Sequence, residues 1–289
     1  TSRDLILDED KDNLNYLLNC TETYDDVVLH LNKSSFKNNI KKWNTIVLPV
    51  DLKKDQFTQA FGANARLAVL TKLTRNQIQF ETVEIAKKGN NEVVLDAYVP
   101  YIIYPTKNLA NERTPAYTAT LHKIGTSESV EHKVTIAENH IDIPNVSLKK
   151  NGQNKNDLSG LDEKTWMLNL VKVANKTEAS EIVTDGTLAA YGTFARTFGD
   201  IMKNEQTTVK ITNKEKPIIE GRDNLQHCYF FHEGKMVYAG KNVRGLRGFS
   251  VWFKPSGTAT SKFILDGIDY TTDVERIMAT EDSSIDSKF

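Results

Sequence analysis

The sequence has 289 residues, of which 39% are hydrophobic, and its 37 basic and 38 acidic residues are mixed along the chain. This even charge balance leaves no basic stripe to neutralise phosphates, which argues against nucleic acid as a partner. No apolar run approaches the roughly eighteen residues that a membrane-spanning helix needs, so no membrane span is predicted.

The first part of the chain predicts short strands and one short helix. Residues 5–7 and 27–31 are apolar runs of strand length on either side of an acidic, polar connection. Further along, Phe57, Ala60 and Phe61 fall at helical spacing. We therefore expect a helix at about residues 53–61 that ends before Gly62.

Two apolar blocks, residues 43–50 and 97–105, stop at proline. Proline has no N–H to give to a sheet ladder, so it is confined to strand ends, edges and bulges. Between these blocks, residues 67–70 and 78–85 also have strand character. The second of these segments alternates between apolar and polar residues, and it should bury Ile78, Phe80, Val83 or their neighbours.

The middle of the chain gives weaker signals. Residues 117–121, 130–136 and 141–143 predict short strands. Residues 149–164 are rich in Lys, Asn, Asp and Gly, which is typical of a mobile loop or a domain linker. Residues 166–173 are apolar enough for either a strand or a short helix.

The last hundred residues return to a clear strand pattern. Residues 191–194 and 207–212 are short candidates, and residues 228–238 predict a β-hairpin that turns at a glycine. Residues 248–255 again end at proline, and residues 262–266 supply one more strand. Many short strands with few helices predict an all-β fold, a β-sandwich of mainly antiparallel strands with one or two short helices.

The two cysteines, Cys20 and Cys228, are too few for a disulfide framework. We expect two separate buried thiols rather than one long-range bridge. The chain begins at Thr1 rather than methionine, which indicates weakly that a leader was removed for export.

The acidic run at residues 8–13 places carboxylates at alternate positions, as a calcium-binding loop does. The sixth position lacks the glycine of that loop, and the twelfth is Asn19 rather than a bidentate glutamate. The sequence therefore predicts a solvated turn here.

No metal site is predicted from the histidines, because none of them has a pairing typical of zinc and no Cys-x-x-Cys partner exists. The six are His30, His122, His132, His140, His227 and His232. His227 and His232 are near neighbours across the predicted hairpin, and we expect a polar surface role for each.

No motif in the sequence identifies a reaction. Glycoside hydrolysis needs two carboxylates across a cleft, and no local signature selects two of them. A Gly-x-Ser-x-Gly elbow and a glycine-rich phosphate loop are both absent from the sequence. We therefore predict no enzymatic activity, no catalytic residue and no cofactor.

Aromatic residues provide one candidate ligand-binding position. Alternation through residues 249–254 sends Phe249, Val251 and Phe253 to one face of a strand and Trp252 to the other. If the first set is core, the indole of Trp252 lies on the polar face and can stack on a sugar ring. The alternative is that a second element covers Trp252.

Several groups of residues then occur in a fixed order along the chain: Leu7-Asp8-Glu9, Trp43-Asn44-Thr45, Leu48-Pro49-Val50-Asp51-Leu52, Phe61-Gly62, Pro100-Tyr101-Ile102-Ile103, Gly192-Thr193-Phe194, Gly234-Lys235-Met236-Val237-Tyr238, Leu246-Arg247-Gly248-Phe249 and Phe263-Ile264-Leu265-Asp266-Gly267-Ile268. This order resembles a module common in surface proteins of Bacteroidetes-type gut bacteria. The resemblance spans roughly residues 5–275 and covers residues 107–190 poorly.

The resemblance implies one all-β module over residues 1–289, with residues 149–164 as an inserted polar loop. The alternative is two β subdomains, residues 1–148 and 165–289. Proteins of this group are typically exported and are often lipid-anchored or surface-attached, and an anchor on this chain would lie before Thr1. The group supplies no catalytic residues.

Three hypotheses for the function follow. The first is a non-enzymatic module of the extracellular or outer-membrane surface that serves adhesion, scaffolding or assembly, with other surface proteins as partners. The second is a carbohydrate-binding protein that captures glycans at the cell surface, with Trp252 as the ligand-binding residue. The third and weakest is a hydrolase.

Overall fold

The computed structural model describes residues 3–9, 23–74, 77–107, 117–122, 131–136, 140–149, 167–169, 189–193, 208–211, 214–217, 229–239, 247–254, 262–271 and 275–276. The predictions for Cys20, Cys228 and His227 lie outside these residues, as do those for residues 10–13 and 150–164. Of the segment at 166–173, the structure describes Met167–Asn169, which form a strand.

The described strands are, in chain order, β1 (Arg3–Asp8), β2 (Tyr24–Asn32), β3 (Asn44–Ile46), β4 (Val50–Lys53), β5 (Arg66–Thr74), β6 (Gln77–Thr82), β7 (Val93–Leu95), β8 (Tyr101–Tyr104), β9 (Tyr117–His122), β10 (Glu131–Ile136), β11 (Ile141–Leu148), β12 (Met167–Asn169), β13 (Ala189–Thr193), β14 (Thr208–Ile211), β15 (Lys214–Pro217), β16 (Tyr229–His232), β17 (Lys235–Tyr238), β18 (Val251–Lys254), β19 (Lys262–Leu265), β20 (Ile268–Asp269) and β21 (Glu275–Arg276). Among the same residues there is one α-helix, α1 (Lys54–Phe61), and there are 3₁₀ turns at Ser34–Asn38 and Ile85–Lys87. The predicted all-β, sandwich-like class is confirmed.

The larger sheets have the strand orders β1-β2-β11-β4-β7 (the first sheet), β20-β19-β6-β5-β8-β3 (the second sheet) and β12-β13-β18-β16-β17-β21 (the third sheet). Two-stranded pairs, β10-β9 and β14-β15, complete the described topology. Most neighbours are antiparallel, but β1 runs parallel to β2, β19 to β6 and β17 to β21. The sheets are therefore mixed.

The apolar alternation of the sequence places one face of each strand in the core. In β6, Ile78 and Phe80 are buried while Gln77 and Gln79 are only partly so. Val83 lies just beyond the strand and is half-buried. Because side chains on a strand alternate between the two faces, this pattern fixes which side of the sheet meets the core.

Helix α1 forms where the sequence predicts it. Phe57, Ala60 and Phe61 are buried on one side of the helix. Gly62 follows with a φ of 114° and donates its N–H to the carbonyl of Thr58 at 2.9 Å. A positive φ is easily adopted only by glycine, which explains why the helix ends here.

The second and third sheets pack through aromatic contacts. Phe80 meets Phe253 edge to face at 5.4 Å between ring centres, and Phe231 meets Phe263 at 5.7 Å. Buried residues of all three larger sheets belong to one continuous core. Whether the whole chain is one domain or two stays a prediction.

The predicted hairpin is confirmed as β16 and β17, which pair from Tyr229 with Tyr238 to His232 with Lys235. Glu233 and Gly234 form its turn with φ values of 49° and 80°. Positive φ at both turn residues matches the right-handed twist of the flanking strands.

No helix in the described ranges has both the length and the apolar character that crossing a bilayer requires.

Candidate functional site

Trp252 is a core residue. Of the two alternatives given for Trp252, the exposed face is wrong and the covered face is confirmed. Val251, Trp252 and Phe253 are each at most 1% exposed, so both faces of β18 are covered. Alternation also does not extend back to Phe249, whose φ of 66° takes it out of the extended conformation. A glycan cannot stack on an indole that is fully buried.

A different group of side chains lines a cleft of about 320 Å³ where the second sheet meets the β16–β17 hairpin. We call it the aromatic cleft and define it by Trp43, Arg66, Lys235, Asp266, Ile268 and Tyr270. The volume lies at the lower end of the range usual for small-ligand sites.

Trp43 and Arg66 line the aromatic cleft on the β5-β8-β3 side of the second sheet, and Tyr104 packs beside them. Trp43 precedes β3 and its ring lies 5.5 Å from that of Tyr104 on β8. Arg66 pairs with Tyr104 across β5 and β8, and its guanidinium lies 5.0 Å from the centre of the Trp43 ring. This cation–π contact holds the indole in place at the edge of the sheet.

The opposite wall is the turn between β19 and β20. Asp266 and Gly267 have φ values of 52° and 79°, as a tight hairpin turn requires. The carboxylate of Asp266 accepts hydrogen bonds from the backbone N–H of Thr82 at 2.7 Å and from its hydroxyl at 2.5 Å. These bonds fix the turn that presents Ile268 and Tyr270 to the cleft.

The aromatic cleft combines flat apolar surface with hydrogen-bonding groups at its rim. Trp43 and Tyr270 supply rings, while Arg66, Lys235 and Asp266 supply charged donors and acceptors. The C–H face of a sugar packs on an aromatic ring while its hydroxyls need polar partners, so the lining suits a small saccharide. Sequence reasoning missed Trp43 because its role depends on which strands become neighbours.

A second cleft, of about 350 Å³, lies between the Ser34–Asn38 turn and the β16–β17 hairpin. Its lining is mostly polar and includes Lys37, Lys42, His232 and Glu233. Charges of both signs meet there, so the lining selects no ligand class.

Beneath this second cleft lies the buried carboxylate of Glu9. It accepts hydrogen bonds from Lys33 Nζ at 3.0 Å and from the Ser35 N–H at 2.8 Å. The solvated turn predicted for residues 8–13 is therefore wrong at Asp8 and Glu9, which are 3% and 0% exposed. Burial alone would raise the pKa of Glu9, but the charge of Lys33 and the hydrogen bonds from Ser35 outweigh it and lower that pKa.

Two further carboxylates, Asp51 and Asp96, lie close together near the start of the 97–105 block. Asp51 accepts the Ala97 N–H at 2.7 Å, and the Tyr101 hydroxyl lies 3.3 Å from Asp96 Oδ2. Burial and the nearby charge of Asp51 raise the pKa of Asp96, and burial and Asp96 raise the pKa of Tyr101 well above its usual range. The hydrogen bonds hold a backbone turn in which Tyr98 has a φ of 63°.

Sheet pairing also brings together His30, His140 and Asp142, which no spacing in the sequence indicated. His30 Nδ1 lies 2.6 Å from Asp142 Oδ1, and His140 Nε2 lies 3.2 Å from the same oxygen. On its other side, His30 Nε2 lies 2.7 Å from Asp4 Oδ1. Both histidines are at hydrogen-bond distance from Asp142, and imidazole and carboxylate are both ligand types of Zn²⁺.

The remaining histidines are distributed differently. His232 is half-buried at the end of β16, 3.7 Å from Glu233. His122 and His132 lie on β9 and β10, of which only the backbone is described.

No protein-family model, no curated protein and no solved structure matches this chain. The resemblance to a bacterial surface module therefore stays a prediction.

Proposed function

We propose that this chain is a non-enzymatic module of a bacterial cell surface that serves adhesion, and that it does so by capturing a small saccharide in the aromatic cleft. The exported location follows the resemblance given above, and the absence of catalysis follows the lack of a catalytic motif in the sequence. The cleft replaces Trp252 as the place where the ligand binds.

The observation that carries the proposal is the exposure of Ile268. Among the described residues it is the large hydrophobic side chain left exposed, at 56%, and it lies in the aromatic cleft next to Tyr270. A single exposed apolar side chain is ordinary on a protein surface. Ile268 matters because it lines the same concave surface as the rings of Trp43 and Tyr270, with polar groups beside them, which is the composition of a ligand site.

The polar rim of the cleft supports a saccharide over a purely apolar ligand. Arg66 and Lys235 are exposed and donate hydrogen bonds, while Asp266 is exposed and accepts them. A sugar hydroxyl uses both kinds of partner. The position of Asp266 is fixed by Thr82, so the acceptor is already oriented before a ligand arrives.

The first experiment is a glycan array, followed by calorimetric titration of the purified chain with the glycans that it retains. Tyr270→Ala and Ile268→Ala should each weaken binding of the same glycan, Tyr270→Ala by about fivefold, since loss of one aromatic contact is worth about 1 kcal/mol. Tyr24→Ala, which changes a half-buried tyrosine on β2 outside the cleft, should leave the affinity unchanged.

The outcomes separate the three hypotheses. If no glycan binds, or if Tyr24→Ala weakens binding as much as Tyr270→Ala, glycan capture in the aromatic cleft is rejected. Chromatography of the glycan after incubation tests for hydrolysis, and shortened products would favour the hydrolase. Loss of binding to another surface protein in the cleft variants would instead favour scaffolding.

A further inference from the structure

We propose that His30, His140 and Asp142 bind a transition-metal dication of the zinc class, and that Asp4 orients His30 for this task. The site lies on the first sheet, apart from the aromatic cleft on the second and third sheets. The inference is independent of glycan capture and goes beyond it.

Sheet topology creates the cluster. His30 on β2 stands directly opposite Asp142 on β11 in the antiparallel register, and His140 comes just before β11. Side chains directly opposite each other on one face of a sheet have Cβ atoms only about 5 Å apart. Asp4 on β1, the other neighbour of β2, completes the group.

The donor atoms converge closely enough to share an ion. One ligand atom from each of His30, His140 and Asp142 lies within 4.8 Å of the other two. The nitrogens nearest to Asp142 Oδ1 are His30 Nδ1 and His140 Nε2. The two imidazole rings are 6.0 Å apart at their centres and inclined by 68°. Two ligand atoms about 2.1 Å from a tetrahedral ion stand about 3.4 Å apart. His30 Nδ1 and Asp142 Oδ1 are 2.6 Å apart, so the ion would replace their hydrogen bond as the two side chains rotate away from each other.

Asp4 stands where the partner of a metal-binding histidine usually does. Its carboxylate lies 2.7 Å from His30 Nε2, the ring nitrogen that points away from the proposed metal. A hydrogen bond at that nitrogen sets the tautomer in which Nδ1 carries the lone pair that binds a metal, and it increases the basicity of Nδ1. Asp4 is therefore a positioning residue and not a ligand.

Charge and burial also favour a dication. With neutral imidazoles, the carboxylates of Asp4 and Asp142 give the cluster two negative charges, which a dication balances. The imidazole side chains of His30 and His140 are at most 5% exposed, whereas the Asp142 side chain is 46% exposed. The ion would thus approach from the Asp142 side.

The donor set selects the class of metal. Two imidazoles and one carboxylate suit Zn²⁺ and its first-row neighbours, whereas Ca²⁺ and Mg²⁺ prefer all-oxygen sites with six or more ligands. Three protein ligands leave a further coordination position for water or for another ligand.

The test is calorimetric titration of EDTA-treated, dialysed protein with Zn²⁺, and with Ca²⁺ and Mg²⁺ for comparison. Addition of Co²⁺ provides a second readout, because its visible absorption spectrum reports the ligand geometry. We expect one Zn²⁺ per chain at this site, no comparable Ca²⁺ or Mg²⁺ binding, and Co²⁺ bands of a low-coordinate site.

Asp142→Asn is the main variant, because its exposed side chain can be changed with little effect on folding. It should weaken Zn²⁺ binding more than Asp4→Asn, for which loss of an orienting partner predicts about 10- to 100-fold. His232→Ala is the matched control, since it removes a histidine that also has an acidic neighbour but lies in the third sheet. It should leave the affinity unchanged.

Urea denaturation in EDTA checks that each variant is folded, and melting with and without Zn²⁺ gives an independent measure of binding. Zn²⁺ should raise the melting temperature of the unmodified chain and of His232→Ala, and not that of Asp142→Asn. The proposal is overturned if the unmodified chain binds no Zn²⁺, or if Asp142→Asn and Asp4→Asn bind it as tightly as the unmodified chain does.

Discussion

Lys33 and Glu9 form an ion pair inside the protein, with Lys33 Nζ 3.0 Å from Glu9 Oε2 and side-chain exposures of 3% and 0%. The backbone carbonyl of Glu9 also accepts the N–H of Gly248 at 2.8 Å. The pair therefore ties the end of β1 to the turn after β2 and to the segment that leads into β18.

Lys33→Met should lower the free energy of unfolding by about 3–5 kcal/mol, because it leaves the charge of Glu9 buried without its partner. Urea denaturation at neutral pH measures the change. Lys37→Met, an exposed lysine in the neighbouring 3₁₀ turn, should cost less than about 0.5 kcal/mol. The double variant Glu9→Gln with Lys33→Met should recover part of the loss, and a double variant no more stable than Lys33→Met would contradict a direct coupling.

Acid should lower the free energy of unfolding, because it protonates Glu9. The pKa of Glu9 is lowered in the folded state, so the folded chain binds fewer protons than the unfolded chain as pH falls below the ordinary glutamate value. The stabilisation is present above the unfolded-state pKa and is lost as pH falls through the folded-state pKa. Urea midpoints measured across acidic pH should show that the stability difference between the unmodified chain and Glu9→Gln shrinks. A constant difference would contradict the shift.

The contribution of Asp96 to the free energy of unfolding should have the opposite pH dependence. Its pKa is raised by burial and by Asp51, so the folded chain holds a proton that the unfolded chain has lost, and stability falls as pH rises through the folded-state pKa. Asp96→Asn should therefore raise the free energy of unfolding at neutral pH, since the amide oxygen still accepts from the Tyr101 hydroxyl. The gain should vanish in acid, where Asp96 is protonated, and a neutral-pH loss would refute this account.

Ile103 and Phe249 are both fully buried. Replacing either with alanine should lower the free energy of unfolding by about 2–5 kcal/mol, as for other large-to-small changes in a core. Ile268→Ala removes the same atoms as Ile103→Ala from a side chain that is 56% exposed, and it should cost much less. Equal denaturation midpoints for the two isoleucine variants would show that the strand faces are misassigned.

Gly62→Ala should be strongly destabilising. A Cβ at this position clashes with Thr106 Oγ1 and lies 2.9 Å from the backbone nitrogen of Lys107, and the φ of 114° strains any other residue. Gly89→Ala is the control, because its nearest contact is the flexible side chain of Glu92 at 3.3 Å. Thermal melting of both variants should show a large drop for Gly62→Ala alone, whereas similar melting temperatures would argue against a steric role for Gly62.

Much of the fold is predictable because its signals are local. Alternation identifies β6, helical spacing followed by Gly62 identifies α1, and a glycine turn between apolar runs identifies the β16–β17 hairpin. The mixed pairing is not predictable in this way, since the parallel contact of β6 with β19 joins segments far apart in the chain.

The candidate sites were largely beyond sequence reasoning for the same physical reason. His30 and Asp142 are 112 residues apart and meet only because β2 pairs with β11. Glu9 belongs to an acidic run, a pattern that predicts exposure to solvent. It is nevertheless buried, because Lys33 compensates its charge and the Ser35 N–H donates a hydrogen bond to its carboxylate. For Trp252 the sequence leaves an open and a covered face as alternatives, because alternation describes one strand and contains no information about what covers it.

The parallel pairing of β6 with β19 also sets an order on folding. Gln77–Phe80 are made early in synthesis, but their neighbours Lys262–Leu265 come almost two hundred residues later. Until then β6 has a partner only on its β5 side and presents an open edge, which is a template for pairing with another chain. Contacts this distant in sequence also form slowly. The nascent chain is thus most prone to aggregation in the interval between the appearance of these two strands, and a chaperone that covers the β6 edge would act there.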